Sequence, residues 1–220
     1  MKKVLVLGAT GRTGNAIIRQ LKSDKPMKIV AALRDKEDIA RIPQANLPLQ
    51  TTIVDIKSIS SLRHAISQSD IIINAIRLRG NISPNALIEL DRRIRQTIDD
   101  EKQRIIVTVG GAGSLLLSNG RHFWEDNRFP EKTLPRGIAH ANLRKYLETN
   151  VREDSWTYLI PPPAYLPNGP KTGRYTKWNP STNEINFLKK SISYEDFAVA
   201  VSTAVHEGWT GTHLIGNSED

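Results

Sequence analysis

The sequence predicts an α/β fold, a doubly wound parallel sheet with helices on both faces. Continuous apolar runs at residues 4–7 and 71–73 are typical of parallel strands that are covered on both sides. Between the runs, apolar residues recur at helical spacing, as at Ile17, Ile18 and Leu21. Strands that alternate with crossovers of ten or more residues are joined in a right-handed sense within one sheet. We therefore predict a single domain over residues 1–220.

The first strand runs directly into three glycines. Gly8 would allow the tight turn, Gly11 would let backbone N–H groups approach a ligand, and Gly14 would let the next helix pack closely on the sheet. The N-terminus of that helix has free N–H groups and a positive dipole end, both of which favour an anion. This turn is the predicted site for the pyrophosphate of a dinucleotide.

The remaining elements follow in alternation. Predicted strands lie at residues 28–33, 51–54, 71–73, 104–109, 156–160, 184–188 and 212–215, and predicted helices at residues 58–66, 83–102 and 136–150. Ser83 and Pro84 are a typical helix start, and Ser193 opens a last helix with Asp196 as its capping partner. Two long segments rich in loop signals, residues 111–135 and 161–190, are predicted to form a cap over the substrate.

The residues after the second strand bear on the choice of cofactor. An acid about twenty residues past the glycines usually holds NAD, whereas an arginine there suits the 2′-phosphate of NADP. Arg34 lies 20 residues after Gly14, and Arg12 could join it in binding the phosphate. Asp35 is the counter-argument, because it could accept a hydrogen bond from a ribose hydroxyl. NADP(H) is therefore favoured, and NAD(H) is the alternative.

Residues that follow the carboxyl ends of the other strands should line the ligand crevice. Asp55 could meet the adenine or, equally, cap the following turn. A second glycine cluster after the fifth strand, beginning at Gly110, allows close approach by the nicotinamide half of a cofactor or by a substrate.

Composition excludes several classes of protein. The chain has no cysteine and therefore no disulfide or thiolate chemistry, which fits a cytoplasmic location, and its apolar N-terminal run is too short for a signal peptide or a membrane span. The net charge of +8 comes from scattered basic residues, so we expect anionic small molecules as partners and no nucleic acid or membrane. The five histidines show no metal-ligand spacing. The sequence leaves a monomer and a dimer equally open.

Five motifs recur together in a known family. They are Gly8-Ala-Thr-Gly-Arg-Thr-Gly14, the strand that ends Arg34-Asp35, Val109-Gly-Gly-Ala-Gly-Ser-Leu115, Trp156-Thr-Tyr-Leu159 and Ser193-Tyr-Glu-Asp-Phe-Ala198. In this order they resemble the atypical short-chain dehydrogenase/reductases known as NADH-flavin reductases, which are related to biliverdin reductase B and to NmrA-like regulators. The glycine cluster with its following serine and leucine is the most specific of the five.

The resemblance implies a Rossmann fold, NAD(P)H at the glycine turn and reduction of a flavin or a similar planar acceptor, with the flavin as a substrate and not a tightly bound group. The cofactor contacts that it implies are Gly8, Thr10, Gly11, Arg12, Thr13, Gly14, Arg34, Asp55, Asn74, Ala75, Ile76, Val109 and Gly110.

The usual proton donor of this superfamily is missing. None of the five tyrosines is followed by lysine four positions later. The nearest substitutes are His140, which shares a helical face with Arg144, and Ser114 after the fifth strand, although an exposed His140–Arg144 pair is the simpler interpretation. Alcohol oxidation and sugar epimerisation or dehydration need an acid/base group, so both are disfavoured.

Hydride transfer to a planar acceptor needs less from the protein, because charge delocalises over the acceptor and solvent can supply the proton. An NADPH-dependent reductase is therefore the first hypothesis. The alternative is a non-catalytic regulator that senses NADP, with a large apolar surface patch. The predicted acceptor contacts, which could equally be loop anchors, are Arg79, His122, Trp124, Pro161 and Tyr165.

Overall fold

A computed structural model describes residues 1–24, 27–43, 49–98 and 104–217. The strands are β1 (Lys3–Leu7), β2 (Lys28–Leu33), β3 (Gln50–Ile53), β4 (Ile71–Asn74), β5 (Ile105–Val109), β6 (Trp156–Ile160), β7 (Ala164–Leu166), β8 (Thr176–Trp178), β9 (Ser191–Ser193) and β10 (Gly211–Gly216). The α-helices are α1 (Arg12–Ser23), α2 (Ile59–Ser67), α3 (Ala86–Arg95), α4 (Leu134–Asn150) and α5 (Tyr194–Glu207). Within those ranges, no helix is both long enough and apolar enough to cross a membrane.

Eight of the strands form one sheet in the order β3-β2-β1-β4-β5-β6-β10-β8. All neighbours pair in parallel except β8, which runs antiparallel to β10, while β7 and β9 form a separate parallel pair. The order of connection reverses at β1, since β2 lies on one side of it and β4 on the other. This arrangement confirms the predicted Rossmann-like, doubly wound sheet.

Helices cover both faces of the sheet, because alternate residues of each strand point to opposite sides. Val4 and Val6 of β1 belong to the core formed with α1 and α5, where Phe197 is fully buried. Leu5 and Leu7 belong to the opposite core, formed with α2 and α3. A third cluster packs α4 against the side chains of β6. The continuous apolar pattern of the strands thus follows from burial on both faces.

The predicted helix over residues 83–102 is shorter than the sequence indicates. It begins at Ala86 with Asn85 as the N-cap residue. Ser83 does not cap it: its carbonyl accepts the N–H of Ala86 in a turn, and the carbonyl of Pro84 accepts the side-chain amide of Asn142 on α4. A contact from a distant helix has therefore displaced the start. The helix ends at Arg95, and residues 99–102 of the prediction lie outside the described residues.

The predicted strand over residues 184–188 is wrong. Residues Ile185–Lys189 form a 3₁₀ helix instead. The alternation of polar and apolar residues that suggested a strand has another cause: the Glu184 carboxylate is buried against Arg144, while Phe187 packs into the third cluster. The turn that joins these two burials is a helical one.

Candidate functional site

The glycine turn after β1 has the geometry that its sequence predicts. Gly8 has φ of +79°, a conformation that side chains disfavour, and a Cβ there would lie 2.5 Å from the carbonyl oxygen of Ala75. A Cβ at Gly14 would lie 2.2 Å from the carbonyl oxygen of Gly8. The turn therefore packs against the end of β4 on one side and against its own helix on the other, and only glycine fits at both positions.

The N-terminus of α1 is open. Its N-cap residue is Gly11, so no side chain caps the helix, and both Gly11 and Arg12 are exposed. The first turn of α1 contains no acidic residue. Backbone N–H groups at such a helix end favour a bound anion. The residues present thus fit the pyrophosphate of a dinucleotide.

The sheet brings the other predicted cofactor contacts to the same edge. Leu7 is in register with Asn74, and Asn74 is in register with Thr108, so the carboxyl ends of β1, β4 and β5 lie side by side. Ala75, Ile76, Val109 and Gly110 directly follow these strand ends. The buried Asn74 accepts the N–H of Ile76 through Oδ1 at 3.2 Å, which fixes the turn after β4.

The end of β2 carries two arginines around one buried carboxylate. Nη1 of Arg41 lies 2.6 Å from Oδ1 of Asp38, and Nε of Arg34 lies 3.7 Å from Oδ2. Burial alone would raise the pKa of Asp38, but the hydrogen bond and the charge of Arg41, together with Arg34, hold that pKa below its usual value. Asp35 turns toward its own backbone, since its Oδ1 accepts the N–H of Asp38 at 3.1 Å. The Arg34 side chain is 77% exposed.

Asn15 joins this arginine cluster to the glycine turn, a role that nothing in the sequence pattern around it indicates. Its side-chain amide donates to the carbonyl of Ala9 at 2.7 Å and to the carbonyl of Arg41 at 3.1 Å. One side chain therefore fixes the spacing between the predicted pyrophosphate site and the end of β2.

Asp55 follows β3 and is exposed. Its Oδ1 accepts the backbone N–H of Lys57 at 2.9 Å, and its own N–H donates to the hydroxyl of Ser61. Of the two roles that the sequence leaves open, capping the following turn is the one these bonds favour.

Both weak catalytic candidates lie beside a buried tyrosine that the sequence did not single out. The Tyr158 hydroxyl is 2.9 Å from Nδ1 of His140, and Ser114 lies next to the same phenol. The ring of Tyr158 is fully buried on β6, and its burial raises its pKa. A tyrosine in an apolar strand needs a hydroxyl partner, which is the one signal that could have predicted this contact.

The two glycines after β5 make room for this pair. A Cβ at Gly110 would lie 2.9 Å from Cζ of Tyr158, and a Cβ at Gly111 would lie 2.5 Å from Cδ2 of His140. The imidazole edge that carries Nε2 therefore faces Gly111. Burial, with a smaller effect of Arg136, lowers the pKa of His140 from 6.5 to about 4, so the ring is neutral at neutral pH.

His140 and Arg144 do not form an exposed pair. Arg144 is 2% exposed and donates to both oxygens of Glu184, at 2.8 and 2.9 Å, and to the carbonyl of Ser114. The face of α4 that they share turns into the core. Arg144 is committed to this network and is not available as a partner of His140 in proton transfer.

Two predicted acceptor contacts lie on the chain after β6. Tyr165, on β7, is half-buried, and its hydroxyl lies 3.1 Å from Oγ1 of Thr13 in the first turn of α1. Its ring packs on Tyr194 at a centroid distance of 4.0 Å. Pro161 is buried directly after β6. Tyr165, which was predicted to contact the acceptor, thus lies beside the first turn of α1, where the pyrophosphate is predicted to bind.

The remaining predicted contacts divide into two kinds. Trp124 packs on α4, since a Cβ at Gly137 would lie 2.9 Å from Cβ of Trp124. The N–H of His122 donates to Glu125, and burial lowers the pKa of His122. Both residues therefore anchor their loop. Arg79, by contrast, is exposed beyond the end of β4.

An open glycine turn at the point where strand order reverses defines a dinucleotide-binding Rossmann protein. The family model described as NAD(P)H-binding matches residues 8–207, and the chain belongs to that family. This membership confirms the family resemblance that the motifs indicate.

Individual proteins resemble the chain in sequence or in fold. The chain is 27% identical over 205 residues to the uncharacterized protein YwnB of Bacillus subtilis, with 90% of each chain covered. It superposes with a TM-score of 0.80 on a proposed NADH-flavin reductase from Streptococcus pneumoniae, at 21% identity over 99% of this chain and 100% of that one. A short-chain dehydrogenase/reductase from Veillonella parvula in complex with NADP gives a TM-score of 0.69 at 16% identity, over 98% and 94% of the two chains.

Proposed function

We propose that this protein is an NADPH-dependent reductase of a flavin or a similar planar acceptor. The observation that carries the proposal is the surrounding of His140 beside the glycine pair that follows β5. Gly110 and Gly111 lie at the carboxyl end of β5, and the ring next to Gly111 is a neutral histidine. Such a surface offers shape and a hydrogen bond but no ionised acid or base, which suits an acceptor that delocalises charge.

Different residues of the chain would bind the cofactor and position the acceptor. NAD(P)H, when bound, supplies the hydride. The N-terminus of α1 binds the pyrophosphate, and the turn after β4 orients the rest of the dinucleotide. When the Tyr158 hydroxyl donates to Nδ1, His140 keeps its proton on Nε2, at the edge that faces Gly111. From there it donates a hydrogen bond to the acceptor and holds the acceptor in place.

NADPH is the proposed cofactor in preference to NADH. Asp35, the acid that could hold a ribose hydroxyl, is engaged with the N–H of Asp38. Arg41 is paired with Asp38 at 2.6 Å, whereas the Arg34 side chain is 77% exposed and only 3.7 Å from the same carboxylate. An exposed guanidinium group at this position suits a 2′-phosphate.

The catalytic alternatives find less support. An epimerase or dehydratase needs an ionisable tyrosine in the crevice, yet Tyr158 is buried in the core and Tyr165 is bonded to Thr13, and burial raises the pKa of both phenols.

The regulatory alternative expects a large apolar patch. Among the described residues, the exposed large hydrophobic side chains come from five separate segments: Met1, Ile39, Ile53, Leu166 and Ile185. No helix of the described ranges presents an apolar face to solvent through these residues. Nothing therefore favours a regulator over an enzyme.

A turnover assay tests the proposal. Purified protein is mixed with NADPH and, in turn, with FMN, FAD, a quinone or biliverdin, and the near-ultraviolet absorbance of NADPH is followed. We expect protein-dependent loss of that absorbance with at least one acceptor. Binding of NADPH without oxidation by any of them would favour the regulatory alternative.

A further inference from the structure

Three arginines lie near one another at the start of α4, and the proposed function leaves their role open. Arg77 and Arg79 are exposed on the segment after β4, and Arg136 lies in the first turn of α4. Leu78, between the first two, packs against the core of the third cluster, which directs its neighbours outward. The bond from the Asn142 amide to the Pro84 carbonyl, 3.1 Å long, ties α4 to the same segment. The segment after β4 and helix α4, on which the three arginines lie, are thus held together.

The cluster has an excess of positive charge. Within the described part of the chain, none of these three guanidinium groups has a hydrogen-bond or ion-pair partner. Burial lowers the pKa of Arg136, and the charges of Arg77 and Arg79 lower it further, which shows that the three charges interact. The first turn of α4 has neither an acid nor a side-chain cap, so the helix dipole adds to the positive potential.

A cleft of about 320 Å³ lies at this cluster. Its lining residues are Gly80, Asn81, Glu131, Lys132, Pro135 and Arg136. The lining holds one carboxylate, Glu131, and two cations, Lys132 and Arg136, while Arg77 and Arg79 lie on the segment that leads into Gly80. The cleft is large enough for a phosphate or a carboxylate group and its water.

Each of the two anionic groups of the cofactor already has its own proposed binding group. The pyrophosphate has the N-terminus of α1, and the 2′-phosphate has Arg34 and Arg41 at the end of β2. Arg77 follows β4, on the opposite side of β1 from β2 and therefore about 10 Å from it across the sheet. Arg136 precedes His140 by four residues, about 6 Å along the axis of α4. A third cationic centre one turn from the histidine suits a third anion.

We propose that this third anion belongs to the acceptor: the site takes a planar acceptor with an anionic substituent, and selects FMN over riboflavin by its phosphate. This inference rests on the proposed function and specifies its substrate. Arg136 binds the phosphate next to His140, while Arg77 and Arg79 close over it from the segment after β4.

The test compares two flavins that share a ring system and differ in the phosphate. Protein saturated with NADP⁺ is titrated with FMN and with riboflavin, and binding is followed by flavin fluorescence. We expect the wild type to bind FMN about tenfold more tightly. Each substitution Arg77→Gln, Arg79→Gln or Arg136→Gln should lower this preference by about two- to fivefold, and the triple variant should abolish it. Arg63→Gln, which removes an exposed charge from α2, is the matched control and should keep the wild-type preference.

The outcomes separate this inference from the proposed function. Equal binding of the two flavins by the wild type, or a preference that survives in the triple variant, overturns the inference even if both flavins are reduced. A preference for FMN that depends on the arginines supports the inference even if no hydride is transferred, and the proposed function then fails alone. A loss of NADP⁺ affinity in the triple variant would instead assign the arginines to the cofactor and overturn the inference.

Discussion

The His140 side chain is unusual because its surroundings remove its charge. The ring lies between Gly111 and the Tyr158 hydroxyl, and Arg136 lies one turn away on the same helix. Burial and a neighbouring cation both disfavour the imidazolium ion. With a pKa of about 4 the ring is charged only in acid, so at neutral pH it has one nitrogen that can donate a hydrogen bond and one that can accept.

This low pKa makes stability depend on pH. The unfolded chain binds a proton at His140 near pH 6.5, whereas the folded chain does so near pH 4. The neutral ring therefore contributes fully to the free energy of unfolding above about pH 6.5, and this contribution is lost as the pH falls toward 4. Because His140 is only partly buried, the contribution is about 1–3 kcal/mol.

We expect His140→Gln to lose less stability than the wild type over this range, as measured by denaturant unfolding at neutral pH and in mild acid. Tyr158→Phe keeps the imidazole and should retain most of the acid sensitivity. Identical acid sensitivity in the wild type and in His140→Gln would show that the ring is not held neutral by the fold.

Arg34 carries the second prediction at the scale of a residue. If it binds the 2′-phosphate, Arg34→Asp should weaken NADPH binding by about ten- to a hundredfold, because an attraction becomes a repulsion. NADH lacks the phosphate and should lose little affinity. Arg63→Asp, with the same change of charge on the exposed surface of α2, controls for the general field of the protein. An equal loss for NADPH and NADH in Arg34→Asp would refute the proposed cofactor preference.

At the scale of elements, local pattern predicts the parts of the chain whose environment is uniform. The strands β1, β2, β4 and β6 are continuous apolar runs buried on both faces, and their positions follow from that pattern. The start of α5 also follows, since Ser193 Oγ accepts the N–H of Asp196. Such features depend on residues within a few positions of one another.

Features set by distant contacts could not be predicted in this way. The 3₁₀ helix Ile185–Lys189 begins directly after Glu184, whose carboxylate is bonded to Arg144, 40 residues earlier in the chain. The carboxylate of Asp196, whose predicted role was capping, instead accepts the N–H groups of Thr172 and Gly173. In the candidate site, the local sequence predicts the glycine turn. It does not predict the pairing of Tyr158 with His140, because that contact depends on how α4 packs on β6.

The Arg144–Glu184 ion pair joins three elements and allows a test of that packing. Its partners lie on α4 and on the 181–184 segment, and each also bonds the chain after β5, at the Ser114 carbonyl and at the N–H of Leu116. The two side chains are 3% and 1% exposed. Because removing one partner leaves the other charge buried, Arg144→Met should lower the free energy of unfolding by about 3–5 kcal/mol.

A double-mutant cycle separates the pair from its surroundings. We expect Arg144→Met with Glu184→Met to cost less than the sum of the two single variants by about 1 kcal/mol or more. Arg152→Met, which breaks an exposed pair with Asp154, should cost less than about 1 kcal/mol. Additive costs at Arg144 and Glu184 would show that the two side chains do not interact in solution.

At the scale of the whole molecule, the order of the strands gathers the site. Gly8, Ala75 and Gly110 are far apart in the chain, yet they follow β1, β4 and β5, which are neighbours in the sheet. The cationic groups are then arranged along this edge, with Arg34 and Arg41 beyond β2 and Arg77 beyond β4. The net charge of +8 thus has a spatial pattern that fits an anionic cofactor and an anionic acceptor.

Because the cofactor would contact several strand ends at once, its binding should stabilise the entire domain. NADPH at about one hundred times its Kd adds about 2.7 kcal/mol, which for a chain of 220 residues raises Tm by about 5–10 °C. Gly11→Ala is the matched variant, since its Cβ would occupy the exposed approach to the helix N-terminus at 3.2 Å from the Gly8 carbonyl oxygen, a contact that a shift of a few tenths of an ångström relieves. Differential scanning calorimetry should therefore give this variant a ligand-free Tm close to that of the wild type and a much smaller shift with NADPH. A full shift in Gly11→Ala would place the pyrophosphate elsewhere than at the glycine turn.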